Sequence, residues 1–301
     1  MKYPSDSTCE CRQGVLRTAE AKCSRARNRR GLRAILGAAA FVLASVPAFA
    51  QVAPNLGATA PFTVLGTNAI PTVGTVTCTD TGPGIGINGQ VGTTFAGGIT
   101  NVGPCTITGP IIFPVAAGVV TAFNTAFSNI DLQNPVCTGV IPIVTTTLAP
   151  GVYCSAAGTT IGAGVTITLP GNSTAVWIFR VGTGGPGALT LTNANVVMGG
   201  TASACNVYWK TSAGMTTTDS NFVGTVLSGA AATMTRGSWI GRMMATTDAT
   251  LTDPAPITGC ALAGAAGALP TPTLSEWAMV MLAGLLAVAG LAATRRRAMR
   301  S

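Results

Sequence analysis

The chain has 301 residues with 17 Lys/Arg, 9 Asp/Glu and no histidine, for a formal net charge of +8. That charge sits at the two ends: residues 1–50 carry +6, residues 271–301 carry +3, and the 51–270 body, with four basic and five acidic residues, carries −1. A nearly uncharged body disfavours nucleic acid as a partner, because phosphate binding needs a basic surface. The missing histidine rules out Ser–His and Cys–His catalysis, and no carboxylate pair, metal-ligand cluster or cofactor fingerprint replaces it. A body rich in Gly, Thr and Val and poor in Lys and Glu points to β structure, and about 220 residues are enough to bury one core.

Residues 1–50 read as an N-terminal extension and a signal peptide. Arg25, Arg27, Arg29, Arg30 and Arg33 precede the apolar run 34–46, and Ala48-Phe49-Ala50 supplies a small-residue cleavage site before Gln51. That order of charged, apolar and small segments directs export. The body then opens with a strand over 56–66. Residues 72–109 carry short apolar pulses between glycines, which suits tight solenoid turns. Gly84-Ile85-Gly86-Ile87-Asn88-Gly89 fits G-x-G-x-x-G, but no helix pattern follows it, so corner glycines explain it better than a dinucleotide site.

One helix is predicted, over 115–131, because Val119, Phe123, Phe127 and Ile130 recur at helical spacing. Such a helix beside a solenoid has to lie along one face and cover it. Strands are expected again within 137–154, at 175–181 and at 206–210.

The clearest internal order is a seventeen-residue repeat from Met215 to Thr252. Written in frames of seventeen, Thr216, Thr233 and Thr250 fall in register, as do Thr218, Thr235 and Thr252. Phe222 meets Trp239, and Gly224 meets Gly241. A short period with one β-like T-x-T run per repeat marks stacked strand turns. Because alternate residues of a strand face opposite ways, Met215, Ala232, Met234, Ala249 and Leu251 would point inward and the threonines outward. Thr166, Thr168, Thr190 and Thr192 occur in two further T-x-T runs and are taken as an extension of the same ladder. The fold class is therefore mainly β, a β-solenoid with one long α-helix alongside.

The mature body has six cysteines: Cys78, Cys105, Cys137, Cys154, Cys205 and Cys260. Outside the cytoplasm an even number reads as disulfides. Six allow fifteen connectivities, of which the sequential set, each closing one loop or clipping one end, is preferred. A Gly/Ala linker over 261–270 leads to the last segment, 271–301. There the apolar run 278–294 is long enough to reach the lower limit of a membrane span, and Arg295-Arg296-Arg297 would stay cytoplasmic.

Two resemblances follow from these residues. Pro272, Thr273, Leu274 and Trp277, followed by the apolar run and the arginines, resemble the IPTL-CTERM sorting signals of Gram-negative bacteria, with Thr271 and Ala278 departing from the usual pattern. That likeness implies an inner-membrane precursor, recognition by an exosortase-type enzyme, and delivery to the cell surface or medium.

The body, from LGATAPFTVLG at 56–66 through INGQVG at 87–92, LAPGVYC at 148–154, AVWIFRV at 175–181, ACNVYWK at 204–210, NFVGTVLS at 221–228 and GRMMATTDATLT at 241–252, resembles the microbial ice-binding protein family. The departures are Gln90, where the family usually has Asp, and the arginines Arg236 and Arg242 flanking the ladder. The resemblance implies ice or ordered water as the partner and no enzymatic activity. Thr216, Thr218, Thr233, Thr235, Thr250 and Thr252 would form the binding surface, extended by Thr166, Thr168, Thr190 and Thr192. A surface adhesin or structural module on the same fold is the alternative.

Overall fold

The computed structural model describes residues 51–260 except 69–73, 83–85, 95–96 and 255. The segments read from the sequence as a signal peptide, a linker and a sorting tail lie outside the described residues. Within them, nineteen strands pair into one continuous sheet, parallel throughout. The sheet winds into a solenoid with three faces.

The first face carries the T-x-T segments, the second carries the α-helix, and the third joins them. The two long strands, Met215–Ser228 and Ala232–Ala245, each run across all three faces while staying paired residue for residue. Two kinds of corner make this possible. Asp219 and Arg236 turn the first corner in the left-handed region, with φ of 51° and 52°. Gly224 and Gly241 turn the second, with φ of 116° and 143°. There the coils approach so closely that a Cβ on Gly241 would lie 2.0 Å from the Gly224 carbonyl oxygen, so only glycine fits.

The stacking order is not the chain order. On the helix face it runs Gly139–Val140, Gly151–Ser155, Trp177–Val181, Val207–Thr211, then the ends of the two long strands, then Phe62–Gly66, Gln90–Thr93 and Ile111–Ile112. The N-terminal coils thus sit on the C-terminal ones, and Ile111–Ile112 lies at the opposite end of the stack from Gly139–Val140. The chain has to travel back along the whole stack between them. Nine strands span roughly 38 Å at the usual separation, and the seventeen-residue helix Ala117–Gln133 covers about 25 Å of that return.

The helix starts two residues later than predicted and buries Val119, Phe123, Ala126 and Ile130. They pack on Leu65, Val152, Ile178, Tyr208, Leu227 and Met244 of the sheet. Phe127, expected in the stripe, lies at its margin under the Lys210 ammonium, 4.2 Å from its ring centre. Asp131 fastens the helix end by accepting from Arg180 Nε at 2.8 Å and from Lys210 Nζ. The strand predicted over 56–66 begins only at Phe62, because Gly57–Thr59 forms a 3-10 turn under the helix.

Inside the solenoid, Tyr153, Phe179, Trp209, Phe222 and Trp239 form a continuous row of ring contacts, stacked as far as Trp209 and tilted beyond it, with Phe179 and Trp209 ring centres 3.7 Å apart and nearly parallel. The buried indole N–H groups of Trp209 and Trp239 donate to the carbonyls of Val223 and Gly224, so these aromatic cores leave no orphan donor. Disulfides join Cys78 to Cys105, Cys137 to Cys154 and Cys205 to Cys260.

The seam between the C-terminal and N-terminal coils is held at one corner by Asp248. Its Oδ1 accepts from Gly74 N at 3.0 Å, Thr75 N at 2.9 Å and Thr75 Oγ1 at 2.8 Å. Burial alone would raise this carboxyl, but the hydrogen bonds from Thr75 and Gly74 outweigh it and hold its pKa below the ordinary value. A lowered folded value means stabilisation that is complete above the unfolded carboxylate value of about 3.9 and is lost as pH falls through the folded one. Asp248→Ala is therefore expected to lower stability by ~1–2 kcal/mol at pH 7. In urea titrations at a series of pH values, its deficit should shrink below about pH 4; a deficit unchanged at pH 2–3 would rule the carboxylate out as the cause.

Candidate functional site

On the first face the stacking order is Thr159–Ile161, Leu189–Thr192, 215–218, 232–235, Ala249–Thr252, Val76–Thr79 and Ile99–Val102. The paired outward positions form two columns. The first is Thr160, Thr190, Thr216, Thr233, Thr250, Thr77 and Thr100, threonine at every rung. The second is Thr192, Thr218, Thr235, Thr252 and Thr79, closed by Val102. Rungs are about 4.8 Å apart and the columns nearly 7 Å apart.

The inward positions between and beside these threonines hold Leu189, Met215, Ala232, Ala249 and Val76, then Ile161, Leu191, Met234, Leu251 and Cys78, all buried. Alternation along each strand therefore forces the two columns outward. The rigidity of the plane comes from this core beneath it and from continuous pairing on both sides of each middle rung.

Eight of the ten threonines singled out from the sequence stand in these columns. Thr166 and Thr168 do not. They lie on the third face, paired with Asn195 and Val197, because the first-face segment of their coil is already supplied by Thr159–Ile161, a few residues upstream. Sequence reasoning missed Thr160, Thr77, Thr79 and Thr100. The T-x-T run at 77–79 was visible, but it joins the ladder only through the pairing of Val76–Thr79 with Ala249–Thr252. Arg242, expected to flank the ladder, is on the helix face, buried, and donates from Nε to the Ala60 carbonyl at 2.9 Å. Burial pushes its guanidinium pKa down.

The column hydroxyls have a further property in common. Among the described residues, none of the twelve column threonines makes a side-chain hydrogen bond to the protein. Several threonines elsewhere do: Thr59 Oγ1 donates to Leu56 O, Thr67 Oγ1 to Ala245 O, and Thr246 Oγ1 to Ser228 O. The column hydroxyls are left for solvent.

The other two faces differ. The helix covers the second. On the third, Asn221 Nδ2 donates to Asn195 Oδ1 at 2.7 Å and Ser238 Oγ to Asn221 Oδ1 at 2.6 Å, so the polar ladder there is consumed internally. Ile240 interrupts that face, 49% exposed.

On the middle rungs, one inward position breaks the pattern. Thr217 sits in register with Leu191 and Met234, is buried, and its Oγ1 has no partner. An orphaned buried hydroxyl costs about 1–3 kcal/mol. Thr217→Val, which keeps the branched shape, should raise stability by ~1 kcal/mol in a urea or thermal melt. A loss of stability would mean that the hydroxyl has a partner in solution, such as a buried water.

A parallel β-solenoid with a helix along one face and an open threonine plane on another defines the class of protein. Residues 64–257 match the ice-binding-like family, and residues 270–297 match the IPTL-CTERM motif. The chain belongs to the ice-binding-like family. It is 39% identical over 108 residues to an ice-binding protein of Flavobacterium frigoris, a stretch covering 35% of this chain and 37% of that protein; the chain thus spans little more than a third of the relative's length. Among solved structures it resembles an ice-binding protein domain of Shewanella frigidimarina, with 26% identity and a TM-score of 0.59 over 71% of this chain and 100% of that one. It also resembles an ice-binding protein of an Antarctic Flavobacteriaceae bacterium, with 29% identity and a TM-score of 0.57 over 71% of this chain and 49% of that one.

Proposed function

We propose that this protein is exported and adsorbs to ice through the first face, using Thr160, Thr190, Thr216, Thr233, Thr250, Thr77 and Thr100 in one column and Thr192, Thr218, Thr235, Thr252 and Thr79 in the other. The observation that carries the reading is the combination of straight columns with hydroxyls uncommitted to the protein. Ice is neutral and offers no deep feature to grip, so a binder needs many weak contacts repeated over a rigid plane. A threonine hydroxyl can hold one water while its methyl orders the next. Because the backbone is already fixed and the β-branched side chain is stiff at χ1, little entropy remains to be lost on docking.

The family relationship and the names of the relatives support the same ligand. The IPTL-CTERM match supports a tail handled by an exosortase-type enzyme, with Pro272, Thr273, Leu274 and Trp277 as its recognition residues and display at the cell surface or release as the outcome. The geometry suits display. The last described residue, Cys260, follows the third-face strand Ile257–Thr258 and is bonded to Cys205, which precedes the helix-face strand Val207–Thr211. Cys260 therefore stands at the corner opposite the threonine plane, a position that favours attachment without covering that plane.

Thr233→Tyr with Thr235→Tyr, at the centre of both columns, should leave the thermal melt within a few degrees of wild type. The same change should cut thermal hysteresis and ice-affinity uptake at least tenfold. Wild type that fails to partition into a growing ice front, or a double variant that partitions like wild type, would remove the proposal. Adhesion to cells without ice uptake would favour a surface adhesin.

A further inference from the structure

Four successive T-x-T segments of the plane end at left-handed corners, which hold Asn193, Asp219, Arg236 and Asp253, with φ of 47°, 51°, 52° and 46°. They directly follow Thr192, Thr218, Thr235 and Thr252, which are paired with one another. With one conformation and one register, the four side chains leave from the same rim of the threonine plane, beside its second column. Asn and Asp suit this conformation; arginine does not. Arg236 is also the longest of the four, 53% exposed at its side chain, and long enough to lie across Thr235 and Thr218.

It is fastened instead. Arg236 donates from Nε to Asp219 Oδ1 at 2.5 Å and from Nη2 to Asp219 Oδ2 at 2.8 Å, a two-point grip that fixes direction as well as distance. The hydrogen bond and the charge of Asp219 raise the Arg236 pKa, with a smaller contribution from Asp253 on the next rung. Asp253 is itself held, accepting from Thr81 N and Thr81 Oγ1, both at 2.8 Å. Acid, base and acid thus alternate along the stack axis at the edge of a plane that carries no charge.

We propose that Asp219 is a positioning residue for the threonine face. By holding the Arg236 guanidinium along the rim, it keeps a hydrated cation off the columns that dock. The inference rests on the ice-binding reading above. Its energetic value lies outside stability, since an exposed pair adds little to folding.

The test compares Asp219→Gly, Arg236→Gly and the double variant, glycine being at ease in both corners, in ice-affinity partitioning and thermal hysteresis, with a thermal melt of each. Asp219→Gly should lose activity at least threefold, Arg236→Gly should stay within twofold of wild type, and the double variant should recover to the Arg236→Gly level. Recovery on removing a second residue is what a merely structural role for Asp219 would not produce. Should Asp219→Gly fail to fold, Asp219→Asn, which tolerates the same corner and removes the charge, should show a smaller loss, again relieved by Arg236→Gly. Full activity in the Asp219 variants, or a double variant as weak as the single one, overturns the inference while leaving the ice-binding proposal standing. Inactive wild type overturns both.

Discussion

In-register parallel pairing is the constraint on which everything else in this molecule depends. Side chains alternate along a strand with a period of two, so a slip of one residue would turn every inward Leu, Met and Ala of the first face outward and every threonine inward. The pairing of 215–218 with 232–235, and of that segment with Ala249–Thr252, therefore builds core and surface in one step. The same pairing continues across the seam to Val76–Thr79 and Ile99–Val102, where the chain is not continuous at all. Two rungs of the plane are thus contributed from the other end of the body, and Asp248 sits at the seam that joins them to the rest.

The three faces answer the same hydrophobic requirement differently. The helix face turns Leu65, Ile178, Leu227 and Met244 outward, and these would be exposed without the helix that covers them. The helix is there because the inverted stacking order obliges the chain to return along the solenoid. The first face has an apolar layer inside, broken on the middle rungs only at Thr217, and needs no cover, since threonine is stable on an exposed strand. Topology thus allots the cover to one face and leaves another free. What charge the described body has lies at corners and under the helix: Arg180 and Lys210 with Asp131, Arg236 with Asp219, and Arg242 buried against Ala60.

Much of this was legible in the chain. Seventeen-residue frames gave the register of the two long strands because those coils follow each other directly, with no insertion to shift the count. The helix was legible from Val119, Phe123 and Ile130, and the solenoid class from Gly/Thr/Val composition and the repeat. What remained hidden was order in space. Thr77 and Thr79 stand in plain view as a T-x-T run, yet nothing local to them encodes that Thr250 and Thr252 flank them on one side while the next coil along flanks them on the other. Thr166 and Thr168 show the converse: an identical local pattern occupies a different face, because the number of residues spent between corners varies in the less regular coils. Arg242 was misplaced for a related reason. It lies one residue beyond Gly241, and a corner there reassigns it from the plane's edge to the covered face.

The comparison of the first and third faces shows why threonine columns, rather than polar columns in general, suit adsorption to ordered water. Asn195, Asn221 and Ser238 are also stacked rung on rung, but an amide both donates and accepts, so neighbouring rungs satisfy one another and present little unspent capacity to solvent. A threonine's single hydroxyl at rung spacing of about 4.8 Å is too far from the next to do the same, so every rung keeps its donor and acceptor for water. The methyl then fixes the rotamer and shields the strand. Stacking at this distance therefore selects against side chains that can reach along the column and in favour of those that cannot, which is also the reason the one long side chain at the rim, Arg236, requires an anchor.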